Sequence, residues 1–312
     1  MRDLEYDHFG PWVIEISEND PPPLIFLPFL TRTEMPLLCI KIPRRIDRRD
    51  IHPGMDLYDY LVTLYPGDLV ILQRLGEGVR EYTFCYHDIQ FLRYSEDLLK
   101  GTIELGLRNT AFELRFNTVS SNVMQHLVTV MRERYCGQGE QAVQAFNGDI
   151  EGLSFYFNGL LAKGSIQNPR FRLLAAQANT FIGSYEQGRW SRNFYWLAGK
   201  TLLESLHLSD GRELKIVTRG QNFKYKWQAV YAKEFTYLPL EHISGVHWQG
   251  DDRHQAVSHL IIETPGGPLS FAFMNDNTSI STYDRFLKTA AGSSPGVEAW
   301  AFHPNSNGQH ST

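Results

Sequence analysis

Two series of strand-like runs, each ending in a helical pattern, constrain the fold of this chain more than any other feature. Alternating or continuous apolar residues are typical of strands, and apolar residues spaced by three and four are typical of a helix with one buried face. In the first series the runs lie at residues 59–75, 79–95, 100–107 and 111–117, followed by a helical pattern at 120–135. In the second series they lie at 201–208, 212–220, 229–249 and 258–275, followed by a helical pattern at 281–292. The sequence therefore predicts a strand-rich unit that occurs twice.

Each helical pattern has an apolar face and candidate capping residues. The apolar faces consist of Val123, Met124, Leu127, Val130 and Met131 in the first helix and of Tyr283, Phe286, Leu287 and Ala290 in the second. Ser120 or Ser121 is expected to cap the first helix, since a hydroxyl accepts from the free N–H groups of a helix start. Ser281 or Thr282 is expected to cap the second, and Gly292 is suited to a left-handed stop after it. Glycine or asparagine in the turns of ETPGGPLSF and LRNTAFEL predicts a hairpin in each series.

The two series can be aligned with each other. Corresponding positions are Leu69 with Leu214, Ile89 with Ile243, Phe116 with Phe273 and Leu127 with Phe286. The separation between partners grows steadily along the chain, which requires insertions in loops only, and loops tolerate insertions where strands do not. The stretches PLLCIKIP and RFRLLAAQ occupy similar places ahead of the two series, which suggests that the repeat is longer than the runs themselves.

A duplicated unit of strands followed by one closing helix resembles the pleckstrin homology (PH)-like fold, and the chain resembles a tandem bacterial PH-like protein. The resemblance covers residues 57–136 and 201–292 and rests on element order, because that family has no strict motif. It implies a mainly β protein of the α+β class with two PH-like barrels, each made of bent antiparallel sheets and closed by a C-terminal amphipathic helix. Neither closing helix carries the tryptophan found in many eukaryotic PH domains.

The segments outside the two units are expected to have other roles. Residues 1–56 contain short apolar strands broken by prolines, which predicts an arm that packs on the first barrel. Residues 137–200 are too apolar for a flexible linker and are expected to form an ordered connecting segment. Residues 293–312 are rich in serine, asparagine, glycine and proline, which predicts a flexible tail.

Composition excludes some classes of protein. The 312 residues are 42% hydrophobic and 21% charged, as in an ordinary soluble protein with a buried core. The net charge of -5 argues against a general nucleic-acid binder. Three widely spaced cysteines without a Cys-x-x-Cys pair argue against a disulfide framework and against a zinc site. Together with the lack of a signal peptide pattern, they favour a cytoplasmic location.

The first strongly basic stretch is KIPRRIDRRD at residues 41–50. It precedes the first unit, and its two aspartates partly neutralise its five cations, so we expect a solvated or salt-bridging bend. Acidic residues outnumber basic ones in residues 1–150, whereas residues 151–312 carry a small basic excess. The charge distribution therefore favours an anion-binding surface in the second half.

The second basic stretch, RGQNFKYKW at residues 219–227, is the preferred anion-binding candidate. In the PH-like register it lies in the loop that joins the first two strands of the second barrel, where lipid-binding PH domains hold phosphates. The residues that the resemblance implies as anion ligands are Arg219, Lys224, Lys226 and Lys233. Arginine can bind a phosphate with two parallel hydrogen bonds and lysine supplies a point charge. Alternating aromatic and basic residues are also typical of a strand with one solvated face, and this interpretation stays open.

An aromatic stretch, RWSRNFYW at residues 189–196, is a candidate interface. Its candidate interface residues are Arg189, Trp190, Arg192 and Trp196. Because four aromatic side chains are costly to leave in water, burial or a protein interface is favoured over contact with nucleic acid. Stacking on bases and insertion at a membrane interface are the alternatives.

No metal site, cofactor or enzymatic centre is predicted. The histidines and aspartates of residues 242–259 do not have a recognised ligand spacing, and a polar loop is the favoured interpretation. Cys85 and His87 lie two residues apart and are expected to be a packed pair on one face of a strand. The chain has no G-x-S-x-G, Walker, Rossmann or kinase signature, so no catalytic residue is assigned.

The sequence therefore predicts a non-enzymatic binding or scaffold protein with a protein as its expected partner. The first alternative is a peripheral protein that binds anionic lipid headgroups or other phosphates through residues 219–233. The second is an unrecognised hydrolase or nucleic-acid binder. Self-association through sheet edges or aromatic surface is an open alternative for the oligomeric state.

Overall fold

A computed structural model of the chain describes residue 6 and residues 9–108, 110–136, 141–146, 152–167, 170–182, 199–225 and 227–292. Several sequence predictions fall outside these residues. They are the candidate interface residues Arg189, Trp190, Arg192 and Trp196, the candidate anion ligand Lys226, and the predicted tail at 293–312.

The first half of the chain forms two antiparallel meanders followed by a helix. A five-stranded sheet with the order β1-β2-β3-β4-β5 contains Ile14–Glu15, Leu38–Pro43, Tyr58–Leu64, Asp68–Leu75 and Gly78–Cys85. The second meander contains β6 (Ile89–Asp97), β7 (Lys100–Leu107) and β8 (Thr110–Asn117). Helix α1 (Ser121–Tyr135) follows, in agreement with the predicted helical pattern.

The second half repeats this order. After α2 (Phe155–Gln167), the main meander contains β9 (Arg172–Gln177), β12 (Ser205–Ser209), β13 (Glu213–Thr218) and β15 (Lys233–Pro239). A small sheet beside it contains β10 (Thr180–Phe181), β11 (Lys200–Leu202) and β14 (Phe223–Tyr225). A three-stranded meander with β16 (Gly245–Gly250), β17 (Val257–Glu263) and β18 (Leu269–Met274) leads to α3 (Ile280–Ala290).

The two halves are joined by a continuous sheet. Strand β6 pairs antiparallel with β15, with Glu96 opposite Lys233 and Tyr94 opposite Phe235. The result is a seven-stranded sheet with the order β8-β7-β6-β15-β13-β12-β9. The chain is therefore mainly β with several antiparallel sheets. Among the described residues no sheet closes into a barrel, because one meander of each half continues into the other half.

Strand β9 shows that the repeat begins earlier than the second unit predicted from residue 201. β9 is formed by RFRLLAAQ, within the segment expected to connect the units, and it pairs with β12 at one edge of the seven-stranded sheet. In the same way β2, formed by PLLCIKIP, pairs with β3. Each half thus contains a four-stranded meander, then a three-stranded meander, then a helix. The first half adds β1 at the edge of its sheet, and the second half adds the small sheet β10-β11-β14.

The central strands β3 and β4 of the first sheet are buried on both faces, whereas β5 is largely exposed. Leu64, Leu69 and Ile71 belong to the core beneath α1. Leu61, Val70 and Leu72 on the opposite face pack with residues that come before the sheet, including Phe9, Phe26 and Ile51. Burial on both faces explains the continuous apolar runs YLVTL and DLVIL, because a strand with one solvated face would alternate.

The helix starts agree only in part with the predicted caps, since Ser120 occupies the N-cap position of α1 without a capping side-chain hydrogen bond. The Ser120 hydroxyl accepts instead from the backbone N–H of Val13. Helix α3 begins at Ile280, where Asn277 Oδ1 accepts from the N–H of Ser279. The predictions of Ser281 or Thr282 as the cap are therefore wrong. Gly292 has the expected positive φ of 69°.

Among the described residues, no helix is long and apolar enough to cross a membrane.

Candidate functional site

A cavity of ≈ 610 Å³ lies beside the first half, where the end of β2 faces the β6–β7 turn and the end of β8. Its lining residues come from residues 9–12, 42–47, 99–100 and 115–117. Strand β1 pairs only with Ile40 and Lys41 of β2. From Ile42 onwards β2 therefore has no described strand on that side, and the cavity opens there.

Local backbone features shape the walls of this cavity. The pairing of β2 with β3 shifts register between Ile42 and Pro43, where the chain turns out of the sheet. On the opposite wall Leu98 has a positive φ of 53°, which makes the β6–β7 turn tight. The ring of Phe116 lies against Gly101, so that a Cβ on this glycine would come within 2.2 Å of the ring. Glycine at this position therefore allows the aromatic ring to line the cavity.

The cavity is strongly basic. Its charged lining residues are Arg44, Arg45, Asp47, Lys100 and Arg115. Two of the cations have anionic neighbours: Arg44 Nε lies 3.7 Å from Asp59 Oδ1, and Arg115 pairs with Glu113. Within the described part of the chain, neither Arg45 nor Lys100 makes an ion pair. An anion in the cavity would therefore meet a cation on each wall that pairs with no described carboxylate, while the one lining carboxylate, Asp47, pairs with Arg49.

Exposed apolar side chains lie in the cavity lining, at Trp12 and Leu99, and in neighbouring positions of the chain, at Leu98 and Val119. Leu98 and Leu99 at the tip of the β6–β7 turn are 68% and 63% exposed, and Val119 and Trp12 are 50% and 49% exposed. The turn is held in place by Thr118, whose hydroxyl donates to Leu98 O at 2.6 Å and whose N–H donates to Leu99 O at 3.2 Å. A fixed apolar projection thus stands next to a basic cavity.

Two of the predicted anion ligands are engaged in ion pairs. Arg219 Nη2 lies 2.8 Å from Oε1 of Glu204, a side chain that is 1% exposed. The same carboxylate accepts from the N–H and the hydroxyl of Ser154, at the start of α2. Lys233 Nζ lies 2.5 Å from Glu96 Oε2, across the junction of β15 and β6. Both cations hold elements of the fold together.

The segment that carries the predicted anion ligands also connects different strands from those that the PH-like register predicts. Because β9 is the first strand of its meander, residues 219–232 connect the third and fourth strands rather than the first two. Lys224 lies on β14, half-buried and opposite Thr201. Tyr225, Trp227 and Tyr231 of this loop are exposed, and the rings of the first two stack at 5.6 Å.

The histidines of residues 242–259 do not converge on one point in the structure. His259 Nε2 lies 2.8 Å from Asp251 Oδ2, while His242 Nδ1 lies 3.2 Å from the carbonyl of Gln90. Although burial opposes it, hydrogen bonds from His259 and from two backbone N–H groups hold the pKa of Asp251 below its usual value. Asp251 thereby orders a polar turn, as the loop interpretation expected.

The side chains of Cys85 and His87 lie close together, but the prediction that they share one face of a strand is wrong. Cys85 ends β5 and His87 lies on the 3-10 turn Tyr86–Asp88 that follows, and both side chains are exposed. The strand pattern was extended too far, because Tyr86 and Ile89 are the buried residues of this stretch.

The sequence does not predict the basic cavity. It predicts a solvated or salt-bridging bend for residues 41–50, and Arg44 and Arg49 do have carboxylate neighbours. Lys100 and Arg115 are isolated cations in the sequence and lie on neighbouring strands. One local pattern indicates a special role for the β6–β7 turn: the two leucines in SEDLLKG stand among polar turn residues, where apolar residues are unusual.

In comparisons with known proteins, the chain matches no protein-family model and no curated protein.

Proposed function

We propose that this chain is a non-enzymatic binding protein that holds the headgroup of an anionic lipid in the basic cavity of its first half. The observation that carries the proposal is the combination of the apolar projection Leu98–Leu99 with Arg45 and Lys100, two cations that pair with no carboxylate among the described residues. The protein would lie at a membrane surface and would not span it.

The chemistry of the cavity supports a ligand with an anionic head and an apolar body. Arginine and lysine bind phosphate oxygens with charge-assisted hydrogen bonds, which are roughly twice as strong as neutral ones. Ile42, Pro43 and Phe116 give the cavity an apolar lining that would exclude water from those bonds. The exposed leucines would enter the headgroup region, as apolar side chains of interfacial proteins do.

The element order supports a PH-like fold for each half as part of this proposal. A four-stranded meander, a three-stranded meander and a helix occur in this order in both halves, beside the additional strands β1, β10, β11 and β14. We therefore propose that the chain is a tandem PH-like protein whose two units share one sheet. A reducing, cytoplasmic compartment completes the proposal, since Cys39, Cys85 and Cys136 are free thiols.

Sedimentation with lipid vesicles tests the lipid proposal. The full chain is mixed with vesicles of phosphatidylcholine alone and with vesicles that also contain phosphatidylserine or a phosphoinositide. We expect binding only to the anionic vesicles, weakened by salt. Arg45→Gln and Lys100→Gln should each weaken binding about fivefold, since a cation near an anionic surface contributes about 1 kcal/mol.

Two controls separate this cavity from other basic surfaces. Arg80→Gln removes an exposed cation of β5 outside the cavity lining and should leave binding unchanged. Lys224→Gln tests the loop that the sequence favoured. Vesicle binding that survives the Arg45 and Lys100 changes, or binding that is lost only with Lys224→Gln, contradicts the cavity proposal. Competition by soluble inositol phosphate without vesicle binding would indicate a free phosphate ligand instead.

A protein partner is the second candidate function, favoured by the exposed aromatic residues of the loop after β13. Tyr225, Trp227 and Tyr231 are 41%, 75% and 65% exposed. Aromatic side chains of this size are enriched at the centres of protein interfaces. Sedimentation velocity over a range of concentrations would detect self-association, and capture of one defined partner by the wild type but not by Trp227→Ser would support a heterologous interface.

A further inference from the structure

Three side chains with different metal-binding atoms meet on one exposed turn of the first half. The Sγ of Cys85, a ring nitrogen of His87 and a carboxylate oxygen of Asp88 all lie within 4.8 Å of one another. His87 Nε2 and Asp88 Oδ1 are 3.3 Å apart. Two ligands of one tetrahedral zinc ion, with bonds of about 2.0 to 2.3 Å, are separated by roughly 3.3 to 3.6 Å. The turn therefore needs little rearrangement to place all three atoms around one ion.

The backbone of this turn is fixed by its buried residues. Tyr86 is 5% exposed and donates its hydroxyl proton to the carbonyl of Tyr65 at 2.8 Å. Ile89 is fully buried, and its N–H donates to the carbonyl of Tyr86. Because Tyr86 and Ile89 point into the core, the three other side chains of the stretch stand together on the solvent side. A site of this kind loses less entropy on binding than one on a mobile loop.

The equivalent turn of the second half shows which of these residues the fold requires. There the 3-10 turn Leu240–His242 follows Pro239, and the N–H of Ile243 donates to the carbonyl of Leu240. The buried positions are apolar in both halves, with Leu240 in the place of Tyr86 and Ile243 in the place of Ile89. The three remaining positions differ, since a buried Pro239 replaces the cysteine, and Glu241 and His242 replace the histidine and the aspartate. The fold alone therefore does not account for the set of metal-binding atoms in the first half.

We propose that Cys85, His87 and Asp88 bind a divalent transition-metal ion of borderline softness, above all zinc. A thiolate, an imidazole and a carboxylate are the three ligand types that zinc accepts, and three protein ligands leave the fourth tetrahedral position open. Water, or a side chain of a bound protein, would fill that position. The Cys85 thiol would release its proton to solvent as the sulfur binds the ion.

Cobalt titration of the full chain tests this site directly. Co²⁺ replaces zinc in such sites, and a thiolate ligand gives it a charge-transfer absorption in the near ultraviolet together with visible bands that depend on geometry. With a thiol-free reductant present, we expect saturation at one equivalent per chain and loss of the absorption when Zn²⁺ is added. Cys85→Ser should abolish the charge-transfer band. His87→Asn and Asp88→Asn should each weaken Co²⁺ binding by at least about tenfold.

Matched variants elsewhere in the chain serve as controls. Cys39→Ser and Cys136→Ser remove the two half-buried thiols, and His126→Asn removes an exposed histidine of α1. All three should bind Co²⁺ like the wild type. The proposal is overturned if the wild type gives no thiolate band, or if the band persists in Cys85→Ser. It is equally overturned if His126→Asn weakens binding as much as His87→Asn.

Discussion

At the scale of single residues, His207 shows how burial determines the charge of a side chain. It is fully buried on β12, where its Nδ1 lies 2.9 Å from Tyr283 Oη and its Nε2 lies 3.1 Å from Ser205 Oγ. Its ring packs against Phe271 and Phe273. Burial lowers the pKa of His207 to about 3, so the imidazole is neutral in the folded protein.

This neutral histidine should make stability depend on pH. The pKa of His207 is about 3 in the folded protein against 6.5 for an ordinary histidine, so between these values the unfolded chain binds the extra proton. The contribution is fully present above pH ~6.5 and is lost as the pH falls, at up to about 1.4 kcal/mol per pH unit. Urea unfolding between pH 4 and 7 measures this slope. His207→Gln should reduce the slope, and equal slopes in the variant and the wild type would contradict the assignment.

The residues of the basic cavity were only partly predictable from the sequence. Arg44 and Arg45 stand in a visibly basic stretch, but their charge alone did not distinguish a site from a solvated bend. Lys100 lies at the start of β7 and Arg115 near the end of β8, so these two cations are brought to the cavity by the β7–β8 hairpin. Arg219 illustrates the opposite error, since its carboxylate partner Glu204 lies on a separate segment that no local pattern connects with it.

At the scale of the elements, Gly101 links strand β7 to the shape of the cavity. A Cβ at this position would lie 2.2 Å from Phe116 Cζ, which is closer than any real contact. We expect Gly101→Ala to displace the ring and to destabilise the protein by about 1–3 kcal/mol, the usual cost of overpacking. A lower urea midpoint would show this loss. Gly78→Ala in β5 is the matched control, because a Cβ there meets only a backbone oxygen at 3.7 Å. Similar midpoints for the two variants would contradict the steric argument.

The type and order of the elements were the most predictable part of the fold. The hairpins β7–β8 and β17–β18 and the helices α1 and α3 have strong periodic and turn signals, and they form where expected. The caps were mispredicted because serine hydroxyls near a helix start have other partners in the tertiary structure, as Ser120 has in Val13. The sequence predicts that β9 belongs to the segment connecting the two units. Its six residues are apolar in the middle and stand apart from the other runs, and such a short run does not indicate which sheet it joins.

At the scale of the whole molecule, the seven-stranded sheet is the feature that the sequence did not predict. The pairing of β6 with β15 joins two strands that are far apart in the sequence, and the sequence of an edge strand does not indicate which strand it pairs with. Lys233 and Glu96 reinforce this junction with an ion pair. We therefore expect the two halves to unfold together, in contrast to a protein with two independent barrels.

A second ion pair between the halves gives a test of this coupling. Arg132 of α1 donates from Nε to Glu213 Oε1 of β13 at 3.1 Å, and its guanidinium stacks on Tyr237 at 4.1 Å. The Glu213 side chain is 3% exposed, and its charge raises the pKa of Arg132 against the opposing effect of burial. Glu213→Gln leaves Arg132 without its counter-charge, so we expect a loss of about 3–5 kcal/mol, whereas Arg132→Met combined with Glu213→Met should recover much of it.

Urea unfolding followed by tryptophan fluorescence and by circular dichroism measures both the size of this loss and its cooperativity. Tryptophan fluorescence reports the unfolding of both halves, because Trp12 lies beside the first sheet and Trp248 lies on β16. If the continuous sheet couples the halves, Glu213→Gln shifts one common transition to lower urea by both probes. Arg49→Gln, which removes an exposed ion pair, is the control. Two separated transitions in Glu213→Gln would show instead that the halves are stabilised independently. The same conclusion would follow if the urea midpoint of Glu213→Gln were no lower than that of Arg49→Gln.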